Sequence, residues 1–224
     1  MQKPDEVTDL VDFKQPEISD TDLKAPIYID FGPTSLSATP WNNITSHQES
    51  STTSWIKDVE NNYTNIGVRV LDGFTATHAG VGSEPASPVT VDGVEFPLTA
   101  WKDGLLVKGE KNQGDVGPGR IEISQLDVAR KYNFTILAIR FNGSKDARIS
   151  SYKLVGKTES AVKEVKTGIK DAASFAAANF EEYIAKFENV EPDSEGKVIV
   201  EVKGLDTGSA AEGHINALCI SLAK

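Results

Sequence analysis

"SPVTVDGVEFPL", residues 87–98, places two short alternating apolar runs on either side of an Asp-Gly pair. Alternation with a period of two buries one face of a strand, and Asp-Gly readily adopts the positive φ angles of a tight hairpin turn. Val89 and Val91 are β-branched, which favours strands. This stretch therefore predicts a β-hairpin.

The same rhythm recurs along most of the chain. Further alternating segments are "APIYIDFG" (25–32), "IGVRVLDGFTA" (66–76), "GLLVKG" (104–109), "GRIEISQL" (119–126), "YNFTILAIRF" (132–141), "SSYKLVG" (150–156), "KVIVEVKG" (197–204) and "HINALCISL" (214–222). Asp-Gly or Asn-Gly pairs and the stretch "PDSEG", residues 192–196, supply turns between them. We therefore expect an all-β fold, an antiparallel two-sheet β-sandwich or jelly roll.

Residues 158–187, "TESAVKEVKTGIKDAASFAAANFEEYIAKF", do not follow this rhythm. Their Ala, Glu and Lys content favours a helix, whereas Gly168 and the β-branched residues of the first half oppose one. The end of the segment also reads as a strand joined to "KVIVEV" by a Pro-Asp turn. We favour strand, loop, strand, with room for one short helical segment.

The N-terminus differs in composition from the rest of the chain. Residues 1–24 hold seven carboxylates, three lysines and two prolines, and they show little apolar periodicity. Such a segment buries too little apolar surface to fold on its own, so we expect a flexible acidic leader. Residues 25–224 are then expected to form a single domain.

Overall charge narrows the possible partners. A net charge of -10 repels nucleic-acid phosphates and anionic lipid surfaces, so neither is expected as a partner. No apolar run is long enough to insert into a membrane. The lone cysteine, Cys219, lies in the apolar run "ALCISL" and is expected to be a buried thiol. Without an apolar signal-peptide core, we expect either a soluble chain or one whose export signal has been removed.

Four motifs in order resemble one superfamily. They are "IYIDFG" followed by "WNNIT", then "YNFTILAIRFNGSKDARISSYKLVG", "FENVEPDSEGKVIVEV" and the closing "HINALCISL". Residues 25–224 resemble the jelly-roll modules of the galactose-binding-like superfamily, in particular carbohydrate-binding modules of secreted or surface polysaccharide-processing proteins of Bacteroidetes-type bacteria. The resemblance implies a non-catalytic sandwich that binds a glycan or polysaccharide through its end loops or a sheet face. It also implies an extracellular, cell-surface or periplasmic setting.

Sugar recognition combines a flat aromatic ring with polar side chains that bind hydroxyl groups. Trp41 is followed by Asn42 and Asn43, and Trp55 and Trp101 also stand beside turn-forming residues. We predict these five residues as candidate ligand contacts. The alternative for each tryptophan is a buried plug at the end of the sandwich.

Arg140 ends a strand that is apolar on both faces. In the modules that this chain resembles, a basic residue at the corresponding strand end contacts sugar hydroxyls, which makes Arg140 a sixth candidate. A salt bridge to a neighbouring carboxylate is the alternative. The resemblance also implies a structural calcium ion, for which Asp30, Glu188 or rim carbonyls could supply oxygen ligands.

Sequence signals for catalysis are weak. The three histidines and one cysteine show neither a nucleophile motif nor zinc-ligand spacing. A carboxylate pair for glycoside hydrolysis could come from any of 33 acidic residues, which gives no specific signal. We therefore expect glycan binding without catalysis. A structural or adhesive surface domain that contacts protein is the first alternative, and a hydrolase is the second.

Overall fold

The structure, a computed structural model, describes residues 23–80, 82–108, 118–141, 148–205 and 212–224. Short strands make up a little under half of this described chain, which also has two α-helices and one 3-10 helix. The strands are β1 (Ile27–Phe31), β2 (Trp41–Ile44), β3 (Thr52–Thr53), β4 (Gly67–Asp72), β5 (Ala76–His78), β6 (Val89–Val91), β7 (Val94–Phe96), β8 (Gly104–Lys108), β9 (Gly119–Ser124), β10 (Tyr132–Leu137), β11 (Arg140–Phe141), β12 (Ile149–Val155), β13 (Lys163–Lys166), β14 (Gly168–Ile169), β15 (Ile184–Val190), β16 (Val198–Gly204), β17 (Glu212–Ile215) and β18 (Ala217–Leu222). The helices are α1 (Leu98–Lys102), α2 (Ala172–Ala176) and the 3-10 helix η1 (Phe180–Tyr183).

Two sheets face each other. The five-stranded sheet has the order β15-β10-β18-β1-β2, and the six-stranded sheet has the order β13-β12-β16-β9-β4-β3. Their strand pairs are antiparallel apart from β1 and β2, which run parallel with Tyr28 opposite Trp41. The predicted all-β two-sheet sandwich is confirmed.

The main core lies between these sheets because alternate side chains of each strand point inward. Ile29 and Phe31 of β1 belong to the same apolar cluster as Ile121 and Ile123 of β9, and all four are fully buried. Burial of apolar surface stabilises the fold by about 25 cal/mol per Å² removed from water. The period-two pattern thus fixes which face of each strand packs inward.

A second apolar cluster includes side chains from the opposite, outer face of the five-stranded sheet. It contains residues of the β6–β7 hairpin, α1, α2 and η1, and its largest fully buried side chain is Trp101. The hairpin predicted at residues 87–98 is confirmed, since β6 and β7 pair antiparallel. Asp92 and Gly93 have φ angles of 51° and 77°, the positive pair that a type I′ turn needs.

The segment 158–187 holds strands β13 and β14 in its first half and ends in β15, in line with the favoured strand, loop, strand reading. Between β14 and β15 it forms the short helix α2 and then η1. The side chain of Asp171 caps α2 by accepting a hydrogen bond from the backbone N–H of Ser174. The 3-10 turn, and helix α1 elsewhere in the chain, are additions that the sequence did not predict.

The Pro-Asp turn after β15 does not make a hairpin. β15 pairs with β10, whereas β16 pairs with β12 and β9 in the opposite sheet. The carboxylate of Asp193 holds the turn by accepting hydrogen bonds from the backbone N–H groups of Glu195 and Lys197. The turn therefore carries the chain between sheets, which local turn chemistry does not reveal.

The predicted leader lies outside the described residues up to residue 22. Leu23, which the sequence placed in that leader, is only 4% exposed and packs in the main core. Ordered packing thus starts earlier than the composition suggests. Among the described helices, none has the length and apolar character to cross a bilayer. Cys219 is buried, and this burial raises the pKa of its thiol.

Candidate functional site

A groove runs over the outer face of the five-stranded sheet, next to the tip of the β6–β7 hairpin. One part has a volume of about 230 Å³, and a neighbouring part of about 540 Å³ shares Pro26, Asn133 and Ser221 with it. We call the whole depression the sheet-face groove. The smaller part is lined by Pro26, Tyr28, Asp92, Val94, Asn133, Phe134, Thr135, Lys186, Phe187, Glu188, Cys219 and Ser221.

Strand register explains how these residues meet. Across the sheet, Lys186 lies opposite Thr135, Thr135 opposite Cys219, Cys219 opposite Tyr28, and Tyr28 opposite Trp41. Neighbouring side chains in one row of a sheet share a face, so the row combines aromatic, hydroxyl and ammonium groups. Four separate strands besides β2 contribute, which makes the row a product of tertiary structure.

The polar side chains of the groove keep some hydrogen-bonding capacity for a ligand. Lys186 Nζ contacts the carboxylates of Asp92 and Glu181 at 2.6 Å each, and an ammonium group has three donors. Asn133 uses its side-chain oxygen to accept from the backbone N–H of Asn189, so its amide hydrogens are the part left to donate. Such groups suit a ligand rich in hydroxyls.

Tyr28 provides an aromatic side chain in the groove. Its ring and that of Trp41 have centroids 5.1 Å apart and are tilted by 39°. Burial, and then Cys219, raise the pKa of Tyr28, which keeps its hydroxyl protonated at neutral pH. Trp41 in turn packs on Phe96 of β7, with centroids 5.7 Å apart. Trp41 is half-buried, and its ring packs beside that of Tyr28 at the edge of the groove.

Asn42 and Asn43 use their amides within the protein. Asn42 donates to the backbone carbonyls of Tyr28 and Lys57 and accepts from the N–H of Lys57. Asn43 accepts from the N–H of Ser37 and donates to its carbonyl. These hydrogen bonds hold the loops on either side, and the role of both residues as hydroxyl contacts stays a prediction.

The other two tryptophans differ sharply in exposure. Trp101 is fully buried in α1, where its ring stacks on Phe175 and its indole N–H donates to the carbonyl of Ser87. The prediction that Trp101 contacts a ligand is wrong, since neither face of its ring is accessible. Trp55 is 41% exposed and adopts a positive φ of 54°, but it does not line the sheet-face groove.

Arg140 also lies apart from the groove. Its Nη1 donates to the backbone carbonyl of Ala79 at 2.8 Å and lies 3.0 Å from His78 Nδ1. Burial, and then the charge of Arg148, lower the pKa of Arg140. The structure therefore separates the predicted candidates: Trp41 flanks the groove, Trp55 is exposed elsewhere, and Arg140 belongs to a polar cluster described below.

Sequence reasoning missed the residues that line the groove. Tyr28 alternates with Ile27 and Ile29, so its position on the opposite face could have been read from the period of two. Thr135 alternates with Phe134 and Ile136 in the same way. Their proximity could not be read from the sequence, because it depends on β18 lying between β10 and β1.

The calcium ligands suggested by the sequence are not brought together. Glu188 lies on β15, three strands away from Asp30 on β1. Calcium takes six to eight oxygen ligands, and the part of the chain that is described shows no cluster of three or more acidic, histidine or cysteine side chains suited to a metal. The donor set around Asp30 does not fit calcium.

Asp30 instead lies near another buried carboxyl group, Asp103. Burial, and then the negative charge of Asp103, raise the pKa of Asp30 to about 7. The backbone N–H of Ser37 donates to Asp30, and those of Thr34 and Ser35 donate to Asp103. Both residues are fully buried, so the pair is inaccessible to a polysaccharide and fastens the loop after β1.

Comparisons with known proteins give distant structural likenesses. No family model matches the sequence, and no curated protein matches it. The chain is similar to the ANXUR1 extracellular domain of Arabidopsis thaliana, with 11% identity and a TM-score of 0.48 over 89% of this chain. It is also similar to protein YxiM of Bacillus subtilis, with 14% identity and a TM-score of 0.44, covering 89% of this chain and 40% of that one.

A third likeness is to TmCBM61, solved in complex with β-1,4-galactotriose. It shows 15% identity and a TM-score of 0.31, covering 66% of this chain and 90% of that one. The chain spans about half the length of the ANXUR structures, 48% of ANXUR1 and 52% of ANXUR2. Likenesses at this level identify neither a family nor a ligand.

Proposed function

We propose that the chain binds a glycan non-catalytically in the sheet-face groove. The observation that carries this proposal is the row in which the ring of Tyr28 lies in register with Thr135 and Lys186. A sugar presents an apolar C–H face and a rim of hydroxyls, which match an aromatic ring and nearby hydrogen-bonding groups. The groove offers both kinds of contact within one depression.

The affinity is expected to be modest. Hydrogen bonds from sugar hydroxyls to protein largely replace those to water, so the net gain comes from stacking and from a preformed site. Here β-sheet hydrogen bonds hold the backbone of the groove, and Trp41 packs beside Tyr28. An exported setting in a polysaccharide-utilisation protein is part of this proposal, and fractionation of the native host would test it.

The test is a glycan array followed by binding curves for any retained polysaccharide, with released sugar assayed in the same samples. Tyr28→Ala should weaken binding at least about tenfold, through loss of the stacking surface. Thr135→Val removes one hydroxyl at nearly constant volume and should weaken binding about three- to tenfold. Sugar release would show a hydrolase instead.

Matched controls are available on the opposite sheet and its loops. Tyr63 is 46% exposed beside Lys57, and Thr52 is exposed on β3. Tyr63→Ala and Thr52→Val should leave glycan binding unchanged. Equal binding by the Thr135→Val variant and the parent, with melting temperatures also equal, would place the glycan site elsewhere.

A further inference from the structure

A cluster of two arginines, two histidines and one glutamate, mostly buried, lies apart from the sheet-face groove. It comprises His78 of β5, Arg140 of β11, Arg148 immediately before β12, and Glu212 and His214 of β17. We call it the Arg–His cluster. His78, Arg148 and His214 are 3%, 5% and 0% exposed, while Arg140 is only partly buried.

The members of the cluster contact one another. The rings of His78 and His214 meet edge to face with centroids 5.0 Å apart. Arg140 Nη1 lies 3.0 Å from His78 Nδ1, and Arg148 Nη2 lies 3.3 Å from Glu212 Oε2. His214 Nε2 is 3.6 Å from the same Glu212 oxygen, which is close enough for an electrostatic contact but longer than a hydrogen bond.

Gly104 makes room for this arrangement. A Cβ atom at position 104 would lie 2.9 Å from His78 Nε2 and 2.5 Å from the carbonyl oxygen of Ile215. His78 is paired with Gly104 across the β5–β8 ladder, so its ring can lie against a strand that carries no side chain there. A side chain at position 104 would therefore collide with the His78 ring where it now lies.

Within the part of the chain that the structure describes, most side-chain nitrogen atoms of the cluster have no hydrogen-bond partner. Nine side-chain polar atoms in the described ranges are buried without one, and six of these are nitrogens of the cluster. They are His78 Nε2, Arg140 Nε, Arg148 Nε, Arg148 Nη1, His214 Nδ1 and His214 Nε2. Because a guanidinium only donates, His78 Nδ1 must accept from Arg140, and His78 Nε2 then carries the proton. One His214 ring nitrogen must also carry a proton, so at least five of the six are N–H donors.

Such a concentration of unpaired donors is costly in a protein that stands alone. A buried donor without an acceptor destabilises the fold, and nearly all buried polar groups in native proteins are paired. A partner for this cluster must accept several hydrogen bonds at once. Oxyanions do so, and planar carboxylates match the fork of a guanidinium.

The charges favour a singly charged group. Arg140 and Arg148 are cationic. The neighbouring His214 ring, and then the charge of Arg148, lower the pKa of Glu212 to about 2, so Glu212 is ionised at neutral pH. Burial lowers the pKa of both His78 and His214, which leaves their rings neutral. Within the cluster Glu212 offsets only one of the two arginine charges, which leaves a net charge of +1 for a singly charged anion. Glu84, outside the cluster, acts on the pKa of Arg140 through its charge alone. The unpaired donors therefore face a site of net positive charge.

We propose that the Arg–His cluster binds a carboxylate group, with Arg148 and His78 as the buried donors and Arg140 at the solvent side. A sugar acid within a glycan and a small free carboxylate share this chemistry. The proposal does not rest on glycan binding in the sheet-face groove, since it uses other residues on other strands.

The experiment measures the melting temperature of the full chain, and binding by calorimetry, with sodium acetate and with sodium glucuronate. Sodium chloride at equal ionic strength and glucose serve as ligand controls. A saturable rise in melting temperature with either carboxylate, absent with both controls, supports the proposal. A rise with both shows that the carboxylate alone suffices, and a rise with glucuronate alone shows that the sugar ring contributes.

Variants distinguish the cluster from nonspecific effects. Arg140→Gln removes the half-exposed donor and should weaken carboxylate binding at least tenfold, and Arg148→Gln should abolish it. If Arg148→Gln does not fold, Arg140→Lys provides the second test, because it keeps the positive charge but loses the planar guanidinium. Arg130→Gln, on the surface beside Asp127, should bind like the parent.

The proposal is overturned if neither carboxylate raises the melting temperature beyond the chloride control. It is equally overturned if Arg140→Gln and Arg130→Gln respond alike. In either case water or other parts of the chain accept the hydrogen bonds of these N–H groups. Thr135→Val should bind carboxylate like the parent, so failure of the groove proposal and failure of this one can be told apart.

Discussion

The ring of Tyr28 lies against that of Trp41, with centroids 5.1 Å apart across the parallel pairing of β1 and β2. Trp41 also packs on Phe96 of the hairpin that covers the sheet. One side of the indole thus joins the second apolar cluster, and the other side flanks the proposed glycan site. If the proposed glycan site is correct, Trp41 contributes to both stability and binding.

Trp41→Ala is expected to lower both the stability of the fold and the affinity for a glycan. Loss of the aromatic contacts with Tyr28 and Phe96 should reduce the free energy of unfolding by roughly 2–3 kcal/mol, because the site is only half-buried. Glycan binding should also weaken, since Tyr28 loses its neighbour. Urea denaturation and polysaccharide retention measure the two effects, and an unchanged stability would contradict the packing role.

Trp101 is expected to affect stability alone. Trp101→Phe keeps an aromatic ring for stacking on Phe175 but removes the hydrogen bond to Ser87 and leaves a cavity. The free energy of unfolding should fall by about 2–4 kcal/mol, while glycan affinity of the folded protein stays at the parent value. Denaturation curves and retention assays at low temperature check this. Weaker binding by a fully folded variant would refute it.

Trp55, unlike Trp101, is expected to contribute little to the stability of the fold. Its side chain is 41% exposed and its backbone is left-handed, so Trp55→Gly removes little packing and relieves a strained φ. Stability should stay equal to the parent within about 0.5 kcal/mol. Thermal denaturation is the measurement. A loss of several degrees would mean that the exposed ring packs on a surface that the fold requires.

Asp30 predicts how stability depends on pH. The pKa of Asp30 is about 7 in the folded protein against 3.8 in a free chain, so the folded state binds the proton more tightly. The free energy of unfolding should then decrease as pH rises from about 4 to about 7, by up to about 4 kcal/mol, and level off above. Asp30→Asn should lose this decrease.

Urea denaturation of parent and Asp30→Asn at pH 5 and pH 8 measures this effect. The difference between the two proteins isolates Asp30 from the buried histidines, whose lowered pKa values give a slope of opposite sign. Glu95→Gln, an exposed change on β7, is the control and should keep the parental slope. An identical pH dependence in Asp30→Asn and parent would contradict the prediction.

The alternating segments were sufficient to predict an all-β sandwich. Val89, Val91, Ile121 and Ile123 sit at period two, and burial follows that period because successive side chains of a strand point to opposite faces. The Asp92-Gly93 turn was equally local, since positive φ angles at both positions select a type I′ hairpin.

The candidate site was less predictable. In sequence Trp41 stands beside turn-forming residues, yet it begins strand β2, because the parallel ladder with β1 supplies hydrogen bonds that its own neighbours do not. Trp101 and Trp55 both stand near turns in sequence, and only packing against Phe175 distinguishes the buried one. Turn chemistry specifies backbone angles, whereas exposure depends on what other elements cover.

The sequence by itself determined the class of fold, the faces of the strands and the hairpin at residues 87–98, because these follow from local geometry and burial of apolar surface. Only the tertiary structure decided that Tyr28, Thr135 and Lys186 form one row, and that Arg140 and Arg148 meet two histidines. Both outcomes depend on strand order, which joins residues far apart in sequence through long-range pairing that no local pattern encodes.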